Sequence, residues 1–184
     1  LDFIIQAKTA VLATGFKLTD SGQKKEYGQG QVENVITSMQ MERLLAPHGP
    51  YQRVIRPSDG KEPDSIAYVQ CAGSRDKSIG VSYCSRVCCM YALKYSHLIK
   101  EKVGHHAQVY DFYIDQRCFG KGYEEFYHRL MDEGVHFIRG KVAEVTDMAR
   151  SVNAEVISST SRRVRSTSMG SSSPVTTSLR IVAK

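Results

Sequence analysis

The sequence lacks several features that would assign it quickly to a common class. It has no run of about eighteen apolar residues, so no transmembrane helix is predicted. It begins Leu1-Asp2-Phe3, without a methionine or a basic segment, so we expect an internal segment of a longer protein and no signal peptide. It also lacks a G-x-G-x-x-G loop, the sequence that binds a dinucleotide pyrophosphate, so this chain alone cannot bind a dinucleotide fully.

Basic residues are in excess only near the end of the chain. The formal net charge of the 184 residues is +6. Residues 150–184 contain six Lys or Arg and one acid, a charge of +5, which leaves +1 for residues 1–149. A nearly neutral body offers no basic face, so no nucleic-acid partner is expected.

Residues 150–184 differ from the rest in composition. Fourteen of these thirty-five residues are Ser or Thr, and aliphatic residues are scattered. This composition predicts a disordered or atypical tail that contains arginine. A basic arm for nucleic acid or anionic lipid is the less favoured interpretation.

Four of the five cysteines fall within nineteen residues, in the spacing C-x12-C-x3-C-C. Cys71 follows an apolar, strand-like run, and Cys84, Cys88 and Cys89 lie at the start of a helix-like run that continues to about Lys102. A strand, a polar loop with glycine and a helix form the opening of a Rossmann-type unit, in which the helix N-terminus favours an anion. Here cysteines replace the phosphate-binding glycines.

Three interpretations of these cysteines compete: ligands of a [4Fe–4S] cluster, ligands of a structural zinc, or buried thiols. The spacing matches neither the ferredoxin run nor paired zinc knuckles. The side chains of Cys88 and Cys89 project about 100° apart on a helix, so both reach one centre only where the helix has barely begun. A cluster accepts this divergence more easily than one tetrahedral zinc, and the spacing favours a cluster without excluding the others.

Four segments of the sequence then resemble the A subunit of heterodisulfide reductase, over a stretch from about residue 10 to about residue 145. They are 55–63 (IRPSDGKEP), 70–76 (QCAGSRD), 83–94 (YCSRVCCMYALK) and 119–127 (FGKGYEEFY). This family, with its relatives in quinone-interacting and sulfur-oxidising complexes, is built on a thioredoxin-reductase-like flavoprotein that carries FAD and several [4Fe–4S] clusters.

The resemblance implies a ligand set and a function. One cluster of the family maps onto Cys71, Cys84, Cys88 and Cys89, whereas Cys118 lies outside the set as an incidental thiol. The implied function is that of an oxidoreductase subunit that passes electrons between FAD and clusters, in some members by flavin-based bifurcation. The implied partners are the other subunits of such a complex, and a homodimer is allowed. Clustered cysteines also fit a reducing, cytoplasmic location.

The first residues of the sequence predict a contact with a second cofactor. Residues 4–16 predict a strand or strand pair that ends in Ala13-Thr14-Gly15, which resembles the second FAD motif of flavoproteins with two dinucleotide-binding folds. Gly15 can take the positive φ that a tight turn needs. The alternative is an ordinary junction between a strand and a turn.

The remaining pattern predicts an α/β fold with a Rossmann-like βαβαβ parallel sheet. Residues 1–57 are assigned to the end of an FAD-binding domain plus a connection, and 58–149 to a Rossmann-like domain with the cluster. Residues 35–45 are expected to form a short helix that Ser38 caps. Residues 123–133 are expected to form a second helix, whose buried face carries Tyr123, Phe126, Tyr127 and Leu130. Residues 135–138 and 142–145 are expected to form one bent strand.

Two other functions remain open at this stage. In the first, zinc staples the cysteine loop, and the domain serves assembly without redox activity. In the second, Cys88 and Cys89 act as a thiol–disulfide pair, which would be strained and would leave Cys71 and Cys84 without roles.

Asp115, at the end of the second strand, is expected to be structural or to contact another subunit, because the phosphate loop of a nucleotide site is missing.

Overall fold

The computed structural model describes residues 6–147, 154–158 and 181–183. They form three α-helices and seven β-strands. The helices are α1 (Ser38–Leu45), α2 (Cys88–Lys102) and α3 (Tyr123–Asp132). The strands are β1 (Ile36–Thr37), β2 (Ser65–Val69), β3 (Gln108–Tyr113), β4 (Val135–Arg139), β5 (Val142–Asp147), β6 (Ala154–Ser158) and β7 (Ile181–Ala183).

Five strands form a sheet in the order β1-β7-β2-β3-β4, and every pairing within it is parallel. In the centre, Ile66 of β2 faces Val109 of β3, and Val109 faces Val135 of β4. Helix α2 connects β2 to β3, and α3 connects β3 to β4. The predicted βαβαβ parallel sheet is therefore confirmed. That it belongs to a protein with two dinucleotide-binding folds stays a prediction.

The main core lies between this sheet and the helices. All residues of β2 are buried, as expected for a central strand covered on both faces. Leu93 and Ile99 of α2 and Leu130 of α3 are fully buried in one cluster with the sheet. Met41 of α1 joins the same cluster, so α1 packs with the rest of the described fold. The predicted division at residue 57 is untested and stays a prediction.

Helix α1 has a different cap from the one predicted. The hydroxyl of Thr37, not that of Ser38, accepts a hydrogen bond from the backbone N–H of Gln40 at 3.2 Å. The Gln40 side chain accepts in return from the Thr37 N–H at 2.7 Å, which completes a capping box. Ser38 is buried instead.

Two strand predictions were wrong. Residues 6–16 contain no strand, and Val11 and Leu12 are about nine-tenths exposed, because no described strand lies beside this segment to pair with its backbone. The bent strand predicted across 135–145 is two strands in two sheets. After Gly140, β5 leaves the parallel sheet and pairs antiparallel with β6.

The predicted tail contains two of the described strands, β6 and β7. The other residues of 148–184 lie outside the described residues, so the prediction of a disordered or atypical tail stays a prediction there. Across the described ranges, no helix is long and apolar enough to cross a membrane.

Leu130→Ala should lower the free energy of unfolding by about 3 kcal/mol, because Leu130 is fully buried and the truncation leaves a cavity in the core. Met131→Ala is the matched control on the same helix turn, since Met131 is 40% exposed. It should change stability by less than about 0.5 kcal/mol. Urea unfolding of both variants checks this, and equal losses would contradict the placement of α3.

Candidate functional site

The candidate site lies where the parallel strands end. Cys71 follows β2 by two residues, and Asp115 follows β3 by two residues. Carboxyl ends of parallel strands meet at one edge of a sheet, which is where α/β proteins bind ligands. Helix α2 begins at Cys88, so Cys88 and Cys89 both lie in its first turn, as one shared centre requires.

The twelve residues between Cys71 and Cys84 form a closed hairpin. The Arg75 N–H donates to the Tyr83 carbonyl at 2.9 Å, and Asp76 and Val81 form an antiparallel bridge. The hydroxyls of Ser85 and Ser74 are 3.3 Å apart, which ties the two ends together again. The hairpin therefore returns the chain so that Cys84 re-enters the site that Cys71 leaves.

Ion pairs of the buried Asp76 carboxylate anchor this hairpin. The carboxylate of Asp76 lies 2.8 Å from the Lys24 ammonium and 3.2 Å from that of Lys141. It also accepts from the backbone N–H of Ser78 at 3.0 Å. Hydrogen bonding to Lys24 and then to Ser78 holds the pKa of Asp76 well below its ordinary value. One acid thus joins the hairpin to the segment before β1 and to the turn after β4.

The backbone of the cysteine loop is strained. Cys71, Arg75 and Arg86 have φ values of 58°, 55° and 66°, in the left-handed region that non-glycine residues rarely adopt. Each costs of order 1–3 kcal/mol and persists only where the surroundings fix it, a situation that clusters at functional sites. Gly73 has a φ of 100°, and a Cβ there would lie 2.6 Å from Thr19.

Three of the loop sulfur atoms lie near backbone or hydroxyl groups of neighbouring residues. Cys84 accepts from the Arg86 N–H at 3.3 Å, and Cys88 lies 3.5 Å from the Ser85 hydroxyl. Cys89 donates weakly to the Asp115 carbonyl at 3.9 Å. Cys71, Cys88 and Cys89 are buried, and none of the five cysteines forms a disulfide among the described residues.

Two guanidinium groups lie at the loop that carries Cys71 and Cys84. Asp115 accepts from Arg75 at 2.6 Å and from Arg117 at 3.0 Å, which fixes both guanidinium groups at the loop. These contacts, that from Arg117 first, lower the pKa of Asp115. Hydrogen bonding to Asp115 raises the pKa of Arg117, and the nearby Cys84 and Cys71 raise it further. Asp115 thus has the structural role that the sequence predicted.

A buried acid lies behind the other two thiols. Asp111 of β3 is 1% exposed, and its carboxylate accepts from Gln116 at 2.8 Å and from Gln70 at 3.5 Å. Its second oxygen has no hydrogen-bond partner among the described residues. Burial, with a smaller contribution from the charge of Cys88, raises the pKa of Asp111 to about 7.

The donor set has the chemistry of a metal site, although the thiols do not converge. In the described part of the chain, no group of three or more His, Cys, Asp or Glu side chains is arranged to hold a metal ion. Hydrogen bonding to Cys88, then burial, raises the pKa of Cys89. A bound metal centre reverses this effect, because its positive charge deprotonates coordinating thiols. Buried sulfur atoms, nearby guanidinium groups and an α2 N-terminus without a side-chain cap all fit an anionic metal–thiolate group.

Cys118 differs from the four loop cysteines. It is half-buried and packs against the main core. Burial raises the pKa of its thiol to about 11. These contacts agree with its prediction as an incidental thiol.

The residues that follow the predicted flavin segment contact helix α2 and the cysteine loop. Ala13, Thr14 and Gly15 are exposed, and Gly15 has a φ of 72° with nothing within 4 Å of the position of a Cβ. Next to them, the ring of Phe16 stacks on Tyr91 of α2 with centroids 6.2 Å apart. Thr19 donates to the Gly73 carbonyl at 3.2 Å.

The sequence did not identify Asp111 and Arg117 as part of this site. Asp111 was detectable from the sequence. In a strand, residues two apart face the same side, so Asp111 shares the side of the apolar Val109, which is expected to be buried. Arg117 carried no comparable signal, since its role depends on the fold of the loop after β3.

Comparison with known proteins identifies relatives of this chain. The A subunit of H(2)/formate:CoB-CoM heterodisulfide,ferredoxin reductase from Methanococcus maripaludis is 47% identical over 168 residues, which is 90% of this chain and 24% of that protein. The A subunit of ferredoxin/F(420)H(2)-dependent CoB-CoM heterodisulfide reductase from Methanosarcina acetivorans is 52% identical over 76% of this chain and 18% of its own length. The chain matches a segment of the heterodisulfide reductase A subunit. The resemblance seen in the sequence is thereby confirmed.

A third relative names a cofactor class. The first of two iron-sulfur A subunits of CoB--CoM heterodisulfide reductase from Methanopyrus kandleri is 47% identical over 78% of this chain and 22% of its own length. The chain spans less than a quarter of these heterodisulfide reductase subunits. No protein-family model matches the chain.

Asp76→Asn should lower the free energy of unfolding at pH 7 by about 2 kcal/mol, because a neutral amide replaces the carboxylate that accepts charged hydrogen bonds from Lys24 and Lys141. The second partner of Lys24, Glu26, stays in place. The folded pKa of Asp76 lies below the unfolded value of about 3.9. Its stabilisation is therefore complete above that value and is lost as the pH falls towards the folded pKa.

Urea unfolding at pH 7 and at pH 3 measures this difference. Asp132→Asn, an exposed change of the same charge on α3, is the control. Equal stability of the two variants at pH 7 would contradict the anchoring role of Asp76.

Proposed function

We propose that this chain is part of an electron-transfer subunit of a heterodisulfide-reductase-type complex. In this proposal Cys71, Cys84, Cys88 and Cys89 hold a [4Fe–4S] cluster. The observation that carries it is the closed hairpin, which returns Cys84 to the loop of Cys71 beside the helix turn of Cys88 and Cys89. The family names of the relatives support the same chemistry.

The side chains of the loop prepare the site for such a group. The cluster, when bound, supplies one-electron chemistry. The hairpin and its Asp76 anchor fix the backbone, and the thiols would have to rotate about their Cα–Cβ bonds to bind one cluster. Arg75 and Arg117 place positive charge at the loop, and Asp115 orients both.

FAD is the second cofactor of the proposal. Ala13, Thr14 and Gly15 would contact the flavin, since they are exposed and Gly15 allows close backbone approach. Phe16 and Thr19 join this segment directly to the cysteine loop. Flavin and cluster would therefore lie near each other, as transfer of single electrons from a two-electron flavin requires. Flavin-based bifurcation belongs to the same proposal.

The proposed function implies partner subunits and a cellular compartment. Partner subunits of the complex would supply and accept the electrons. The five cysteines, without a disulfide among the described residues, support a reducing compartment such as the cytoplasm.

Protein purified anaerobically should contain about four irons and about four acid-labile sulfides per cluster site. Cys88→Ser should remove one reduced-cluster signal from the EPR spectrum after dithionite reduction, because it removes a ligand. Cys118→Ser is the matched control, as this cysteine lies outside the ligand set, and it should leave the signal unchanged. Stoichiometric zinc without an EPR signal would refute the cluster and favour the structural module.

The flavin contact is tested in the protein as it occurs naturally, with any sequence that flanks these 184 residues. Gly15→Val should reduce the FAD bound per chain by about tenfold, because its side chain would enter the space of the flavin. Gly30→Val is the control, since Gly30 has a similar φ of 76° and equally open surroundings. Equal FAD content in the two variants, or wild-type protein without FAD, would contradict the assignment.

A further inference from the structure

A groove of about 960 Å³ opens beside the N-terminal turns of α2 and α3. Exposed apolar side chains line it: Val87 is 44% exposed, Phe119 52% and Tyr123 43%. The sequence predicted Tyr123 on the buried face of its helix, but only Leu130 of that face is fully buried. Exposed aromatic residues that gather at one place mark an interaction surface more often than a folding defect.

The groove carries an excess of positive charge. Four cationic side chains line it with a single acid, Glu125; the cations are Arg86, Lys94, Lys121 and Arg129. Outside the lining, Glu42 pairs with Lys94 at 2.9 Å and Glu133 pairs with Arg129 at 3.5 Å. Two of them are already positioned over aromatic rings. The Arg86 guanidinium lies 5.1 Å from the centre of Phe119, and that of Arg129 lies 4.8 Å from the centre of Phe126. Arginine and aromatic side chains arranged in this way are typical of the residues that dominate binding energy at protein interfaces.

The groove adjoins the cysteine site. Arg86 and Val87 directly precede Cys88, and Met90 and Tyr91 directly follow Cys89. Electron transfer between proteins slows steeply with distance, so a redox partner must dock close to the group with which it exchanges electrons. This surface lies on the helix turn that carries two of the proposed ligands.

We propose that the groove docks an electron-transfer protein through a carboxylate-rich surface. The identity of the partner class rests on the function proposed above, and its charge rests on the four cations of the groove. A charge-complementary surface speeds encounter and fixes orientation. The groove is wide and open to solvent, whereas small-molecule sites enclose most of their ligand. A protein surface therefore fits it better than a small anion does.

The test measures binding of a small acidic two-cluster ferredoxin, used as the probe, to the naturally occurring protein purified anaerobically. Calorimetry gives the dissociation constant at low and at high salt. The groove variant is Lys121→Glu/Arg129→Glu, since both side chains are exposed. The matched control is Lys25→Glu/Lys102→Glu, which makes the same charge change at positions outside the groove. The variant Lys121→Arg/Arg129→Lys keeps the charge.

We expect the groove variant to weaken ferredoxin binding by about tenfold or more at low salt, and the difference to shrink at high salt as the charges are screened. The control and the charge-keeping variant should stay within about threefold of wild type. Equal weakening by the control would reduce the effect to net charge and overturn the proposal. No weakening by the groove variant would also overturn it. AMP serves as the probe for a small anion. If the groove variant loses AMP binding while its ferredoxin binding is unchanged, the groove is a small-anion site and the docking proposal is overturned as well.

Iron and labile sulfide are measured in every preparation, so the two proposals fail separately. Wild-type protein that contains the cluster but shows no salt-dependent ferredoxin binding overturns the docking proposal alone. Wild-type protein without iron overturns the proposed function, whatever the binding result.

Discussion

The buried carboxylate of Asp76 is the constraint on which the cysteine site depends. It lies between the ammonium groups of Lys24 and Lys141, which precede β1 and follow β4 in the sequence. Because Asp76 also begins the hairpin between Cys71 and Cys84, these pairs fix where the hairpin starts and where it returns. A twelve-residue spacer without such an anchor would leave Cys84 free to move relative to helix α2. The strained backbone of Cys71 and Arg86 is maintained by the same closure.

Electrostatics then divides the site into two halves. Cys71 and Cys84 lie near Arg117, which Asp115 orients, so positive charge borders this half of the site. Cys88 and Cys89 lie in the first turn of α2, beside the buried Asp111, where the pKa of the Cys89 thiol is raised. A metal centre would supply the positive charge that this second half needs. Thr19 and Phe16, which follow the segment predicted to bind flavin, contact the first half and the start of α2, so both cofactors of the proposal would lie on connected parts of the fold.

The parts of the fold with local, periodic signals were predictable. Strand β2 and helix α3 begin within one residue of the positions that their apolar patterns indicated, and α2 ends where its pattern ends, because alternation and helical spacing act within a few residues. The two strand predictions that were wrong concern segments whose pairing depends on residues distant in the sequence. Residues 6–16 form no strand because no described strand pairs with them, and β5 leaves the sheet because β6 pairs with it.

The candidate site divides in the same way. The cysteine spacing indicated which residues share the site, because that signal lies within nineteen residues of sequence. The acid–base pairs that assemble it, Asp76 with Lys141 and Asp115 with Arg75, join residues forty or more positions apart. No local pattern reports such pairs, so they became visible only in the folded chain.

The central claim is that the four loop cysteines bind iron rather than zinc. X-ray absorption at the iron and zinc K edges of anaerobically purified protein tests it most directly, because it reports the metal and its ligand atoms together. The account predicts iron with a first shell of sulfur and a neighbouring iron atom, lost from this site in Cys88→Ser and kept in Cys118→Ser. A zinc edge with four sulfur ligands, and no iron beyond what other sites of the protein hold, would contradict it.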